Sequence, residues 1–374
     1  MSTLYGTTQQ IIIMSVHQRY MARALQLAAH GLYTTDPNPR VACIIVKNDE
    51  IVGQGWHQRA GEGHAEVIAV DKAGKRAMGA DCYVTLEPCS HFGRTPPCAD
   101  LLISAGIKRV FIAMKDPNPI VSGNGIKRLY DAGIEVMVGI LEQQAEALNP
   151  GFCKRMRTGM PYVRAKIAMS LDGRTAMSSG ESQWVTGPAA RQDVQQLRAR
   201  SSAILSGMGT VLADDPAFTV RPEGDWYPEN QSVRQPLRVI VSNHSAIPEN
   251  AQLLDDSANV LLITTDNNVC EYNSNVITTP EKQGQVDLSA MMAELAKREI
   301  NEVMVEAGSI LNGALLEAGL IDEIIIYMAP KLMGDSAKGL FHLPALQTMA
   351  QNIELTITDI RAVGTDWRIT ATPQ

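Results

Sequence analysis

The run His64-Ala65-Glu66, read together with Cys89 and Cys98, constrains the fold of this chain more than any other feature. One imidazole and two thiols, far apart in sequence, must meet at a point if they are to share a metal. Zinc favours four tetrahedral ligands, and a catalytic site leaves one of them to water, whose pKa falls toward ~7. Glu66, two residues past the His, can sit beside that water rather than on the metal and carry its proton. The surrounding sequence supplies the elements for this. Ala65–Ala77 reads as a helix starting at the His, Cys82–Leu86 as a strand ending at Glu87-Pro88, and Ala99–Ala105 as a helix stopped by Gly106. A helix start offers backbone N–H groups and the positive end of a dipole, which suit thiolates.

A chain of 374 residues is long for a single core, so two domains are expected, 1–159 and 160–374, with residues 1–14 a loose extension and Met14 open as an alternative start. The boundary is placed near Lys154–Pro161, which reads as basic and turn-rich. In the first domain the order is helix 15–31, the turn Thr35–Pro39, a hairpin of Val41–Val46 with Ile51–Trp56, and then the zinc elements. Strand Val110–Met114, helix Ile126–Ala132, strand Ile134–Gly139 and helix Glu142–Leu148 follow, with Asn149-Pro150-Gly151 as a break. The second domain repeats the alternation. Strands are expected at Tyr162–Met169, Ala203–Ser206, Leu237–Val241, Val260–Thr264, Glu302–Glu306 and Glu323–Ala329. Helices are expected at Ala189–Ala199, Leu288–Arg298 and Asn312–Ala318, with Ile353–Ile360 and Trp367–Ala371 as a closing antiparallel pair and 221–236 as a loop. This predicts two α/β layers.

Composition removes several function classes. A net charge of −7 argues against a general nucleic-acid binder. No run approaches 20 apolar residues, so no membrane span is expected, and Ile11–Ile13 is too short for a signal-peptide core. Cys43, Cys82, Cys89, Cys98, Cys153 and Cys270 are read as reduced thiols in a cytoplasmic protein.

The ligand order His-x-Glu, Pro-Cys, Pro-Cys is that of the zinc deaminases, whose Glu is not a ligand. Their common form has two residues between the thiols; here there are eight. The stretch T-L-E-P-C-S-H-F-G-R-T-P-P-C at 85–98 resembles the riboflavin-pathway pyrimidine deaminases, which carry this longer insert, and D-P-N-P at 36–39 and H-Q-R-A-G-E-G-H-A-E at 57–66 match the same family. Phe92 stands where many relatives have a second His. In the second half, S-L-D-G-R-T-A at 170–176, G-E-S-Q-W at 180–184, T-V-L-A-D-D-P at 210–216 and V-E-A-G at 305–308 resemble the reductase of that pathway. Over about residues 15–374 the chain is similar to the bifunctional bacterial deaminase/reductase family.

That resemblance implies a cytidine-deaminase-like zinc domain followed by a dihydrofolate-reductase-like domain that uses NADPH. It implies zinc on His64, Cys89 and Cys98, Glu66 as acid and base, and substrate contacts at Asn38, His57 and Arg94. In the reductase half it implies cofactor contacts at Ala168, Trp184, Thr210, Asp214, Ser242 and the turn Gly308, Ser309, Ile310, Leu311, Asn312, Gly313, Ala314. Substrate contacts are implied at Ser182, Arg198, Phe218, Arg221 and Glu306, with Arg198 and Arg221 suited to a phosphate. Lys166 and Asp172 flank the expected nicotinamide region without an assigned role. The expected partner is a small phosphorylated pyrimidine, with neither nucleic acid nor membrane, and the chain is expected to be a homo-oligomer. From the residues alone two alternatives stay open: a standalone nucleobase deaminase with an unrelated C-terminal domain, and a zinc-stabilised binding module. In the latter a fourth protein ligand would close the site, with Cys82 and His91 the nearest candidates.

Overall fold

The structure, a computed structural model, describes residues 14–90, 97–119, 121–229, 232–243, 247–255, 259–265 and 276–374. The chain divides into two compact units, Met1–Thr35 with Arg40–Asn149, and Asp36–Pro39 with Pro150–Gln374.

Among the described residues the first unit holds a five-stranded sheet. Its order is Glu50–Trp56, Ala42–Lys47, Asp81–Leu86, Arg109–Met114, Glu135–Val138, antiparallel over the first three strands and parallel over the rest. The fully buried Cys43 and Ile45 and the pair Val110 and Ile112 form its core with Ala65, Ala69, Leu102 and Leu129 from the helices. Helix Ala65–Ala73 lies unusually close to the edge strand. A Cβ on Gly53 would fall 2.2 Å from the Ala69 carbonyl oxygen, and one on Gly55 would fall 2.7 Å from that of Ala65. The two glycines therefore let backbone meet backbone, and the alanine face of the helix completes the contact. The helix that begins at His64 is thereby seated on the sheet.

The second unit carries a nine-stranded sheet in the order Val276–Thr279, Val260–Thr265, Leu237–Val241, Ala203–Gly207, Glu302–Val305, Tyr162–Ser170, Glu323–Ala329, Asp366–Pro373, Leu355–Val363. Strands up to Glu323–Ala329 run parallel; the last two are antiparallel, as the closing pair predicts. Parallel strands buried on both faces read as continuous apolar runs, which is how these appear in the sequence. Charge enters this interior at Arg164, 1% exposed, which pairs with Glu302 at 3.0 Å and with Glu323, from the strands on either side.

Two local expectations are corrected. Lys154–Pro161 is not a turn-rich boundary: a helix spans Pro150–Thr158. Pro150 breaks the preceding helix yet opens this one, because the missing N–H of proline costs nothing in a first helical turn. The helix belongs to the second unit, held by Lys154 on Asp322 (2.7 Å) and Arg155 on Asn301 (2.7 Å). The two compact units divide at Asn149/Pro150. In addition, Met208–Asp214, where the sequence predicts no element, is a helix.

Replacing Gly53 with Ala forces the helix bearing the zinc motif off the sheet. The Gly53→Ala chain is expected to lose about 1–3 kcal/mol of stability, read as a lower urea midpoint for the first unit. An unchanged midpoint would show that the helix can be displaced at no cost.

Candidate functional sites

In the first unit the three expected ligands converge. His64 is the N-cap of helix Ala65–Ala73, Cys98 opens helix Cys98–Ser104, and Cys89 follows strand Asp81–Leu86. His64 Nδ1 lies 3.3 Å from Cys98 Sγ and 3.7 Å from Cys89 Sγ, and the three donor atoms fall within 4.8 Å of one another. A tetrahedral zinc with the usual Zn–S and Zn–N lengths needs N···S separations of ~3.6 Å, so the donor set fits. Two helix starts meet there. The Cys98 N–H donates to Cys89 Sγ at 3.3 Å, and the Ala99 N–H to the Cys89 carbonyl at 3.1 Å. Hydrogen bonding from Cys98 and His64 pulls the Cys89 thiol down to about 4, while that contact and burial push the Cys98 thiol up. The fourth-ligand question narrows. Cys82 Sγ sits 3.4 Å from Cys43 Sγ, and among the described residues no fourth His, Cys, Asp or Glu joins the group. His91 lies outside the described residues, as does Arg94.

Glu66 is 3% exposed, and burial pushes its carboxyl up to about 7. A carboxyl in that range both accepts and returns a proton near neutrality. His57 is buried beside the ligands, its ring edge-on to His64 at 5.7 Å, with Nδ1 3.2 Å from the Gly63 carbonyl. Burial lowers its pKa, which favours a neutral ring at this position. Asn38 lies in the four-residue turn Asp36–Pro39 that groups with the second unit.

Glu87 is a residue that motif spacing does not single out. Its buried carboxylate accepts N–H groups from Asp116 (3.2 Å), Gly123 (3.0 Å), Gly125 (2.9 Å) and Ile126 (3.3 Å), which caps helix Asn124–Asp131 from across the chain. Next to it, a Cβ on Gly125 would fall 2.0 Å from the Pro88 oxygen. The Pro88-Cys89 turn is therefore clamped from both sides. The one signal in the sequence is an acidic residue directly before an expected Pro-Cys ligand.

In the second unit a cavity of about 1480 Å³ opens above the parallel strands. It is lined by Ala168, Trp184, Thr210, Asp214, Ser242, Gly308, Ser309, Ile310, Leu311, Asn312 and Ala314 of the expected cofactor set. Ser182, Arg198, Phe218, Arg221 and Glu306 of the expected substrate set also line it. Gly313 does not: a Cβ there would fall 2.1 Å from the His342 carbonyl oxygen, so this glycine admits a neighbouring backbone. The helices Met208–Asp214 and Ser309–Glu317 start at Gly207 and Gly308 without side-chain caps, and a Cβ on Gly209 or Gly308 would meet nothing within 4 Å. Uncapped helix starts facing open space suit a pyrophosphate, and the volume exceeds that of a single drug-sized pocket. The donor set and the space therefore fit a dinucleotide.

The two arginines differ. Arg198 grips Glu306 through Nε (2.6 Å) and Nη2 (3.0 Å) and gives Nη1 to the Thr219 carbonyl (3.0 Å), so each of its three nitrogens already has a protein acceptor and its charge is paired. Arg221 is exposed; its backbone N–H donates to Gln195, and its guanidinium has no protein acceptor among the described residues. Lys166 is no surface residue: its Nζ lies 3.8 Å from Glu306, and burial lowers its pKa. Burial alone would raise the Glu306 carboxyl, but Arg198 and Lys166 hold it below the usual range. Asp172 instead accepts N–H groups from Met333 (3.0 Å) and Gly334 (2.8 Å), a loop clamp. Arg191, unforeseen, stacks on Trp184 at 4.6 Å in the same cavity.

The two sites define a zinc-type deaminase joined to a reductase-type α/β domain. Residues 14–114 match the family model for the cytidine and deoxycytidylate deaminase zinc-binding region, and residues 161–369 match the RibD C-terminal domain. The chain is 53% identical to the riboflavin biosynthesis protein RibD of Escherichia coli K12, covering 93% of this chain and 96% of that one. It is 50% identical to that of Haemophilus influenzae, covering 95% and 97%. Acinetobacter baumannii RibD has the same fold at a TM-score of 0.89 and 45% identity, covering 96% of this chain and 99% of that one. A diaminohydroxyphosphoribosylaminopyrimidine deaminase/5-amino-6-(5-phosphoribosylamino)uracil reductase from Thermotoga maritima superposes at a TM-score of 0.84 with 32% identity, covering 96% and 99%. The chain belongs to the RibD family of riboflavin biosynthesis, enzymes that combine a deaminase with a reductase. The fold class expected from sequence is the one found, and the standalone-deaminase and binding-module readings fall away. No helix among the described residues is long and apolar enough to cross a membrane.

Truncating Glu87 to Ala leaves buried N–H groups without an acceptor. The Glu87→Ala chain is expected to lose roughly 2–4 kcal/mol, given ~1.5–3 kcal/mol for a bond to a charged group plus the unmet donors. Its zinc content, measured by atomic emission, should fall below one per chain. Full zinc content together with an unchanged melting temperature would refute the clamp.

Proposed function

We propose that the first unit hydrolytically deaminates 2,5-diamino-6-ribosylamino-4(3H)-pyrimidinone 5′-phosphate. The second unit then reduces the ribosyl chain of the product with NADPH, giving 5-amino-6-ribitylamino-uracil 5′-phosphate. The observation that carries the reading is the meeting of His64, Cys89 and Cys98 around a point beside the buried Glu66. Family membership and the paired deaminase and reductase activities named for the Thermotoga neighbour support the choice of substrate.

In this reading His64, Cys89 and Cys98 hold the zinc, which when bound supplies Lewis acidity toward water. Glu66 takes a proton from the attacking water and delivers it to the exocyclic amine, which leaves as ammonia. Its burial keeps bulk water from competing for that proton. Neutral His57 and Asn38 contact the pyrimidine, and Arg94 takes the 5-phosphate. In the second unit the uncapped starts at Gly207 and Gly308 receive the dinucleotide phosphates, and Thr210, Asp214, Ser242, Ala168 and Trp184 line its path. NADPH carries the hydride, so the protein positions more than it reacts. Arg221 takes the substrate phosphate. Arg198 holds Glu306 toward the substrate. The enzyme works as a cytoplasmic homo-oligomer.

A coupled assay tests both halves. With the pyrimidine substrate, ammonia should appear before NADPH is consumed, whereas pre-deaminated substrate should give NADPH loss alone. Cys89→Ser should lose zinc and ammonia release while oxidising NADPH normally with pre-deaminated substrate. Glu66→Gln should keep zinc and still lose ammonia release by at least ~100-fold, the lower bound for a general acid–base group. Undiminished ammonia release by Glu66→Gln sinks the deaminase assignment. For the reductase, Arg221→Ala should raise KM for the phosphorylated substrate ~10–100-fold, as expected for losing a charge-assisted contact of ~1.5–3 kcal/mol. The KM for NADPH should stay unchanged; an unchanged substrate KM moves the phosphate site elsewhere.

A further inference from the structure

Trp184 lines the second unit's cavity while 63% exposed, so its ring stands at the cavity rim. An exposed indole has no packing reason to keep one position, yet the loop that carries it is tied at four points. Ser182 Oγ donates to Asp214 (2.9 Å), Lys331 Nζ to the Trp184 carbonyl (2.8 Å), Arg191 Nη1 to the Thr186 carbonyl (2.9 Å) and the Gly187 N–H to Asp366 (2.7 Å). Lys331 is fixed in turn, since its carbonyl accepts the Leu171 N–H at 2.8 Å and Asp172 clamps the backbone just beyond it.

Arg191 does more than tie the loop. Helix Pro188–Arg200 has no acidic residue in its first turn, and Arg191 stands at the end of that turn, where the helix dipole disfavours a cation. The helix therefore gains nothing from this charge. The guanidinium instead lies over the Trp184 ring, 4.6 Å from its centroid. One face of the indole is thus taken by a cation, and the opposite face is open to the cavity.

We propose that Arg191 is a positioning residue of the reductase: it fixes Trp184 as a plate for the nicotinamide ring, and its charge makes that plate favour the neutral reduced ring over the cationic oxidised one. The proposal rests on the dinucleotide reading of this cavity. Of the two flat rings of a dinucleotide, the nicotinamide is the one that must reach the substrate, and Ser182, an expected substrate contact, lies two residues from Trp184 on the same tied loop. An indole face attracts one cation. A second cation on the other face would lie about 8 Å from the guanidinium, which is 4.6 Å plus a stacking distance of ~3.5 Å. Repulsion at that separation is worth ~2–30-fold in affinity for effective dielectric constants from ~80 down to ~20. The reduced ring is uncharged and escapes it. Lys166 and Arg198, the other cations of this wall, are offset by Glu306. Arg191 would thereby aid both loading of the reduced cofactor and release of the oxidised one.

The test is isothermal titration calorimetry of the full chain with NADPH or NADP+ as the sole ligand, so that no turnover occurs. The unaltered chain should bind NADPH at least ~5-fold more tightly than NADP+. Arg191→Met keeps the aliphatic stem without the charge and should shrink that ratio at least ~3-fold, whereas Arg191→Lys, which restores the charge, should keep it within about twofold. A tie that merely stabilised the loop would weaken both forms alike, so a lowered affinity at unchanged ratio in Arg191→Met overturns the proposal. Equal binding of the two forms by the unaltered chain overturns it as well. Trp184→Leu gives a route that does not depend on Arg191→Met folding: it should weaken NADPH at least ~5-fold, as expected for losing a stacked ring, and an unchanged NADPH affinity removes the plate. If Arg191→Met raises only the KM for the deaminated pyrimidine and spares both cofactor affinities, the plate serves the substrate and the proposal fails. No binding of either cofactor form by the unaltered chain overturns the dinucleotide reading itself, apart from any role of Arg191.

Discussion

The Glu87 carboxylate is the contact on which the first site depends. It stands at the end of a strand, one residue before the turn that delivers Cys89, and gathers four backbone N–H groups from 116–126. A buried carboxylate is costly unless it is well supplied with donors. Here the donors are the unmet groups of a helix start, so one side chain resolves two problems. The consequence is mechanical. The chain leaving strand Asp81–Leu86 has its Pro88 carbonyl pressed on Gly125, so Cys89 has little freedom of approach to His64 and Cys98. Preorganisation of this kind is what orients a ligand set before metal arrives.

The two units solve the problem of holding a reactive group in different ways. In the first, short elements start at the ligands themselves: His64 and Cys98 each open a helix, and glycines on the edge strand draw one of those helices tight to the sheet. In the second, the site is a cavity above the parallel strands, with uncapped helix starts at Gly207 and Gly308 and a half-buried charge cluster of Lys166, Arg198 and Glu306 on its wall. Arg198 illustrates why charge alone misleads. A guanidinium is the natural phosphate partner, yet here its charge is already paired with Glu306, and the duty passes to Arg221 in the proposed scheme.

Local periodicity and residue chemistry were enough to read the α/β alternation in both halves, the helix that starts at His64, the closing antiparallel pair and the three residues that converge beside Glu66. Few other sites would use that combination of imidazole, thiols and carboxylate at that spacing. The same local signals misread Pro150–Thr158, since a proline that ends one helix can begin the next and only packing on Asp322 and Asn301 shows which. They could not reveal Glu87 as a remote helix cap, Gly313 as an opening for the His342 backbone, or Lys166 as a half-buried partner of Glu306. Those roles belong to contacts between residues tens to more than a hundred positions apart. Periodicity and motif spacing report only on neighbours along the chain. Which donors meet which acceptors, and which face of the Trp184 ring is left open, was decided by how the strands and helices came together in three dimensions.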